Sequence, residues 1–363
     1  MMRILHLSSE TSWRGGEQQL AYLMQELNKI NVISFAGVKI NFALEAYCRT
    51  NRLNYFSLEF AGEWDLKTVH SIIKICKEQS IDIIHAHSAH SHTLAVLGSL
   101  WGNKKPIVVS RRVDFPINNN FLSGFKYNYR GVKKIICVSQ MIHKVIAPRI
   151  KNPKRIITIY DGIDLKRCHN SDRNYLKKEF FIANEEKVIG NIAALAPHKD
   201  YLTFLETARL IADALPCRFL IVGEGGMRQL IEARIRDLKL QDKVIMAGFR
   251  NDIEMILPGL DVLLFTSEME GLGSTILDAM ACNVPVVATA AGGIPEIIVH
   301  QKTGMLAAVK DSKQLATYVL KLLTDADLRK SIIANAKQRV NSFSKEVMAE
   351  KTMDVYKEIL QAK

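Results

Sequence analysis

Short runs of β-branched and aliphatic residues alternate along the chain with longer stretches in which apolar positions return every three or four residues. In the first half the runs at 3–7, 82–86, 107–110, 134–139 and 156–159 predict strands, and the patterns at 16–27 and 92–100 predict helices. The second half repeats the alternation more regularly. Strands are predicted at 188–192, 218–222, 244–247, 262–266 and 286–288, and helices at 201–214, 227–238, 252–257, 274–282 and 295–299. Uninterrupted apolar strands separated by helices belong to parallel sheets covered on both faces, so the predicted class is α/β. The chain has 363 residues, too many for one core and enough for two domains. A polar stretch of mixed charge at 168–174 marks the expected boundary.

Composition changes this picture little, and charge changes it more. No apolar run approaches the ~20 residues needed to cross a bilayer, and residues 1–7 lack the architecture of a signal peptide. A cytoplasmic location is expected, extending to the inner face of the membrane. The six cysteines are scattered with no Cys-x-x-Cys, so reduced thiols are expected and neither a zinc knuckle nor a redox dithiol. Residues 1–170 hold 24 Lys and Arg against 12 Asp and Glu, whereas residues 171–363 hold 25 of each. Within the basic half, Phe121, Phe125, Tyr127 and Tyr129 are interleaved with Lys126, Arg130, Lys133 and Lys134. Such a tract suits an anionic acceptor or an anionic membrane surface, and equally a solvated basic face. No nucleic-acid motif accompanies it, and no nucleic-acid partner is expected.

The candidate chemistry is concentrated in Glu270-Gly-Leu-Gly-Ser-Thr-Ile-Leu-Asp278, followed by Gly292-Gly-Ile-Pro-Glu296. Twice a glycine turn leads into a helix, and helix N-termini offer unpaired N–H groups and a positive dipole end to phosphates. A carboxylate further along the helix is placed to accept sugar hydroxyls. Together these describe a site for a sugar joined to a nucleoside diphosphate. Gly15-Gly16 makes a similar turn after the first strand. Gly223-Glu-Gly225-Gly226-Met-Arg228 resembles a dinucleotide fingerprint but carries Arg228 where the third glycine belongs. His85, His87, His90 and His92 invite a metal reading, yet 87, 90 and 92 do not share one helix face and have no acidic partners. Cleft lining or capping is the better assignment, and no metal site is expected.

These motifs stand in an order that resembles the retaining glycosyltransferases of family 4, the glycosyl transferases group 1. Arg3-Ile-Leu-His-Leu-Ser, Gly15-Gly-Glu-Gln-Gln, Asp82-Ile-Ile-His-Ala-His87, Ile136-Cys-Val-Ser139, Tyr160-Asp-Gly-Ile-Asp164, Leu195-Ala-Pro-His-Lys199, Ile221-Val-Gly-Glu-Gly225 and Thr303-Gly304 carry the likeness, with the acid pair in its usual place. The resemblance implies the GT-B fold: two facing Rossmann-like domains with parallel sheets and a deep interdomain cleft. It implies an N-terminal acceptor-binding domain at 1–170, a nucleotide-sugar-binding domain at 171–344 and a C-terminal helix, 345–363, crossing back to the first domain.

The implied roles follow residue by residue. Lys199 matches the family's phosphate-contacting lysine, and Glu270 the glutamate beside donor sugar and phosphate; both are taken as catalytic. Gly271, Leu272, Gly273, Ser274 and Thr275 would aim donors at sugar and phosphate oxygens, with Asp278 on the ribose. Gly15, Gly16, Gly223, Gly225 and Arg228 would line the nucleotide, with the base near Phe249. His87, Arg111 and Arg112 are candidates for acceptor or phosphate contacts. Three positions depart from the pattern: Ala194 where an arginine is usual, Asp278 where the second acid is usually glutamate, and Arg112 where histidine is common. The implied function is retaining, metal-independent sugar transfer from a nucleotide-diphosphate sugar, a co-substrate rather than a cofactor. The acceptor would be a saccharide or lipid-linked species in bacterial surface-polysaccharide or lipopolysaccharide assembly. A decayed saccharide- or nucleotide-binding module and a nucleotide-sugar epimerase of the same fold remain as alternatives.

Overall fold

Seven strands of the first half lie in one parallel sheet: β1 (Met2–Ser8), β2 (Val32–Lys39), β3 (Tyr55–Leu58), β4 (Ile83–Ala86), β5 (Ile107–Arg111), β6 (Val132–Cys137) and β7 (Ile156–Thr158). Their order is β3-β2-β1-β4-β5-β6-β7. A second parallel sheet holds β8 (Lys187–Ile192), β9 (Cys217–Val222), β10 (Val244–Gly248), β11 (Val262–Phe265), β12 (Val286–Thr289) and β13 (Met305–Ala307), in the order β10-β9-β8-β11-β12-β13. Both orders reverse once, between β1 and β4 and between β8 and β11. Ligands of doubly wound sheets bind at such reversals, outside the carboxyl ends of the strands.

The structure is a computed structural model and describes residues 1–62, 64–168 and 172–362. The chain divides into two units, Met1–Gly162 with Lys345–Lys363, and Ile163–Ser344. The boundary expected at 170/171 lies outside the described residues. The units part instead after Gly162, because Ile163 bridges to Ser344 and its N–H donates to the Phe343 carbonyl at 2.9 Å.

Strands β2, β3 and β13 have no counterpart among the predicted runs. In β2 the apolar run is broken by Ser34 and Gly37, and Gly37 is there for space: a Cβ would stand 2.6 Å from the Leu7 side chain. β13 is only three residues long. In the first unit Ile4, Ile83, Val108 and Ile136 pack under the helices Gly15–Lys29 and Lys345–Gln361. In the second, Ile189, Phe219, Ile221 and Leu264 pack against Phe204, Leu315 and Val319. Full burial of each aliphatic side chain is worth about 1.5–3 kcal/mol, which makes these sheets rigid mounts for the loops at their ends.

The cysteine expectation needs correction. Cys168 and Cys282 form a disulfide across 114 positions, with their Cα atoms 5.4 Å apart. Cys48, Cys76, Cys137 and Cys217 are buried free thiols, with Cys48 and Cys137 pushed up to about 12 mainly by burial. Among the described residues no helix is long and apolar enough to cross a membrane.

Candidate functional site

The reversal of the second sheet gathers Lys199 and the predicted donor residues from Glu270 to Asp278. After β8 the chain turns through Ala193–Lys199, and after β11 through 266–273. The two loops are fastened together: Thr266 Oγ1 donates to the carbonyls of Lys199 at 3.2 Å and Asp200 at 3.0 Å, and the Glu268 N–H donates to the His198 carbonyl at 2.8 Å. Lys199 Nζ thereby meets Glu270 Oε2 in an ion pair whose side chains are only 13% and 15% exposed. Ser267 Oγ donates to the same carboxylate oxygen at 3.3 Å, and the ammonium lies 5.3 Å from the Phe265 ring centre. A shielded ion pair of this kind holds a cation and an acid at fixed positions beside the strand ends.

Glycines make the rest of the arrangement possible by letting backbone approach backbone. Gly292 has φ +53°, and a Cβ there would lie 2.0 Å from the Glu270 carbonyl oxygen; one on Gly293 would lie 2.4 Å from that of Gly271. The Gly293 N–H donates to the Glu270 carbonyl at 2.9 Å, so the turn after β12 props the turn that carries Glu270. On the other side Gly223 and Gly225 press onto the carbonyls of Ala193 and Leu195, where a Cβ would come within 2.0 and 2.4 Å. Gly273, at φ +97°, opens the helix Ser274–Ala281. Gly271, Ser274 and Thr275 are partly exposed at that helix N-terminus, whereas Leu272 is buried and can offer a ligand only its backbone.

Asp278 is partly buried on the same helix and faces a residue that the sequence reading missed. Arg167 Nη1 stands 3.4 Å from Asp278 Oδ2, and its Nη2 stands 3.4 Å from Glu254 Oε2. Burial pushes the Asp278 carboxyl up to about 6, with Arg167 opposing the rise. The Cys168–Cys282 bridge ties the neighbour of Arg167 to the C-terminal cap of this helix. No motif marks Arg167; its cysteine neighbour is the only local signal. Arg228, expected on the nucleotide, pairs with Glu224 and with Glu232 at 2.8 Å. Phe249 is 59% exposed after β10, so it is not a core residue.

The first unit gathers the remaining candidates at the carboxyl ends of its strands. Gly15 and Gly16 open the first helix, and a Cβ on Gly16 would contact Arg112 Cδ at 3.8 Å. Arg112 Nε stands 3.3 Å from Asp161 Oδ1, and its Nη1 stands 3.4 Å from His87 Nδ1. His87 Nε2 in turn stands 3.1 Å from His6 Nδ1. Burial lowers the His6 ring to about 3 and drives His85 and His87 well below the usual imidazole range, so all three are neutral. Arg111 does not join Arg112 as expected. It is buried, donating to the Tyr127 hydroxyl at 3.0 Å and the Phe115 carbonyl at 2.5 Å.

The nitrogens of His6, His85 and His87 lie within 4.8 Å of one another, a grouping different from the one the sequence suggested. The donor set does not suit a dication. His85 has one nitrogen 2.6 Å from the Tyr356 hydroxyl and the other 2.8 Å from Ser110 Oγ, and the Arg112 cation adjoins His87. His90 is held by the Gly62 carbonyl at 2.6 Å, and His92 packs on the Tyr127 ring.

Comparison with known proteins bears on both units. The glycosyl transferases group 1 model matches residues 172–339, and the Glycosyltransferase Family 4 model matches residues 13–167. The chain is 27% identical over 316 residues to N-acetyl-alpha-D-glucosaminyl L-malate synthase of Bacillus anthracis, covering 85% of this chain and 83% of that protein. It is 24% identical over 311 residues to the UDP-Gal:alpha-D-GlcNAc-diphosphoundecaprenol alpha-1,3-galactosyltransferase of Escherichia coli, covering 80% and 79%. The crystal structure of Anabaena HepE in complex with UDP-glucose superimposes with a TM-score of 0.86 at 21% identity, covering the whole of both chains. Two sheets of Rossmann order, the second wholly and the first in all but β1 within a region matched by one of the two models, place this chain in the group 1, family 4 glycosyltransferases, with their GT-B fold.

Proposed function

We propose that this glycosyltransferase moves a sugar from a nucleotide-diphosphate sugar to a lipid-linked or saccharide acceptor, retaining the anomeric configuration and using no metal ion. The observation that carries the reading is the Lys199–Glu270 pair, propped by two glycine turns beside the helix that opens at Ser274. A departing diphosphate needs cations and N–H donors fixed where its charge develops, and Lys199 with the amides of Ser274 and Thr275 supply both. Glu270 would hold the ammonium in place and accept hydroxyls of the donor sugar. Asp278 would take the ribose hydroxyls. In the transfer the bond from the anomeric carbon to the diphosphate oxygen breaks, the acceptor oxygen bonds to that carbon on the same face, and the acceptor proton passes to the leaving phosphate.

The names of similar proteins support a uridine nucleotide and a polyprenyl-linked acceptor: HepE is described with UDP-glucose, and the E. coli galactosyltransferase uses UDP-Gal and a diphosphoundecaprenol substrate. We assign the acceptor to the unit that contains Arg112 and His87, in bacterial surface-polysaccharide assembly at the cytoplasmic side of the membrane. A thermal-shift series with UDP-, GDP-, ADP- and CMP-sugars in chelator tests the donor site. Ligand at ~100 times its dissociation constant adds about 2.7 kcal/mol of stability. A shift with one nucleotide class, lost in Lys199→Ala, supports the reading. No shift with any class, together with no donor hydrolysis, overturns it in favour of a binding module.

A further inference from the structure

At the amino ends of β5 and β6, on the sheet edge opposite to Arg112, a cavity of about 380 Å³ is lined by Lys104, Lys105, Arg130 and Lys133. None of these four cations is paired with a carboxylate among the described residues, whereas the adjoining Lys134 is bound to Glu358 at 2.7 Å. Leu100 and Tyr129 complete the wall, and Leu100 and Trp101 beside it are 51% and 53% exposed. The helix Phe121–Asn128 leads to this basin. It buries Tyr127 against Arg111 and turns Phe121, Leu122 and Phe125 outward, Phe121 being 84% exposed. Ring centres of Phe121 and Phe125 are 6.4 Å apart, and those of Phe125 and Tyr129 are 5.8 Å apart, so an aromatic ladder ends at the cations.

We propose that this ladder and the four-cation basin form one docking surface for a bilayer containing anionic phospholipid. Charge complementarity decides the occupant. A protein partner that buried the ladder would leave four unpaired cations to satisfy, whereas an anionic headgroup layer neutralises them and accepts aromatic rings at the same depth. The +12 excess of residues 1–170 adds a long-range attraction of the same sign. The surface deepens the reading of a lipid-linked acceptor, because it would hold the enzyme where such an acceptor resides. The helix also runs between the two edges of the sheet, from the β5 carboxyl end near Arg112 to the basin.

Co-sedimentation of the full chain with phosphatidylcholine vesicles, with and without phosphatidylglycerol, tests the proposal. Binding is expected only with the anionic lipid and is expected to weaken with salt. Each cation near the surface contributes about a fivefold factor in partition, so Lys104→Glu/Lys133→Glu should lose at least ~25-fold. Phe121→Ser/Phe125→Ser should remove the part that resists salt. Equal binding to neutral vesicles, no binding at low salt, or unchanged binding in both double variants overturns the proposal. A nucleotide-induced thermal shift is read in the same samples. Lost vesicle binding with that shift intact shows a folded protein and isolates the surface. A missing shift with intact vesicle binding counts against the donor-site reading instead.

Discussion

Arg167 Nη1 lies 3.4 Å from Asp278 Oδ2 while its second nitrogen lies 3.4 Å from Glu254, so the proposed ribose-binding acid already has a cationic partner. That partner does not fully offset burial, since the carboxyl is still raised to about 6. The ionised form, which accepts two hydroxyls, is therefore present above pH 6 and lost below it. Nucleotide affinity is expected to fall as pH drops from 7 to 5, and Asp278→Asn is expected to flatten the profile. The stability effect has the opposite sign. Between the ordinary value of 3.8 and about 6 the folded unit holds a proton that the unfolded chain releases. This group alone then lowers stability by about 3 kcal/mol as pH rises through that window. Titration calorimetry with UDP at several pH values, alongside denaturant melts, measures both.

The Lys199–Glu270 pair invites a double-mutant cycle. Each single alanine leaves its partner shielded and unpaired, a cost of about 3 kcal/mol, and removes a proposed contact to the transition state. Transfer is expected to drop at least ~100-fold in kcat/KM in either variant, equivalent to about 2.7 kcal/mol. The double variant should recover part of the lost stability but none of the activity. Additive stability losses would show that the two side chains are not coupled.

Gly292 tests the backbone-to-backbone prop. At φ +53°, with a methyl group 2.0 Å from the Glu270 carbonyl, Gly292→Ala must move the turn that carries Glu270. A positive φ costs an L-residue about 1–2 kcal/mol before any clash is counted, so a loss of more than ~2 kcal/mol is expected, together with a loss of donor binding. Gly226→Ala, where nothing lies within 4 Å of a Cβ, is the control and should be nearly neutral.

Neutral buried histidines make the first unit acid-labile. His6, lowered to about 3, and His85 and His87, also lowered, must charge on unfolding. Their contribution is complete above pH 6.5 and is lost progressively as pH falls below it. Protection of the β1 and β4 amides against hydrogen exchange, taken relative to their intrinsic rates, should fall from pH 6.5 towards 4. Tyr356→Phe, which removes a hydroxyl 2.6 Å from His85, should cost a further 1–3 kcal/mol or so.

The disulfide has a direct readout. Under denaturing, non-reducing conditions the six cysteines should titrate as four thiols, and as six after reduction. Cys168→Ser should weaken nucleotide binding through release of the segment that carries Arg167. Six thiols without reductant would remove the bridge.

Much of this was legible in the chain. Apolar runs separated by amphipathic stretches specify parallel strands and their covering helices wherever the strand is buried on both faces, as in β8, β9 and β11. Every predicted strand and helix of the second half has its counterpart in the structure. β2 escaped because Ser34 and Gly37 interrupt its apolar run, and β13 because three residues carry no period. The glycine turns were readable for the same local reason: only glycine fits where one backbone rests on another, so Gly223, Gly225 and Gly292 mark those places in advance.

Tertiary structure decided which side chains meet. Arg111 and Arg112 are neighbours in an extended segment, and successive residues there point to opposite faces. One guanidinium is consequently sealed against Tyr127, while the other meets His87 and Asp161. Lys199 and Glu270 are separated by 71 positions, His6 and His87 by 81, and Cys168 and Cys282 by 114. Local propensity and period act over a few residues, so the sequence by itself determined the elements, the glycine turns and the chemical groups available. The first two pairings depend on strand order in the sheet, which brings the ends of β8 and β11, or of β1 and β4, side by side, and the third on where the helix Ser274–Ala281 ends; burial then sets the charge of each group.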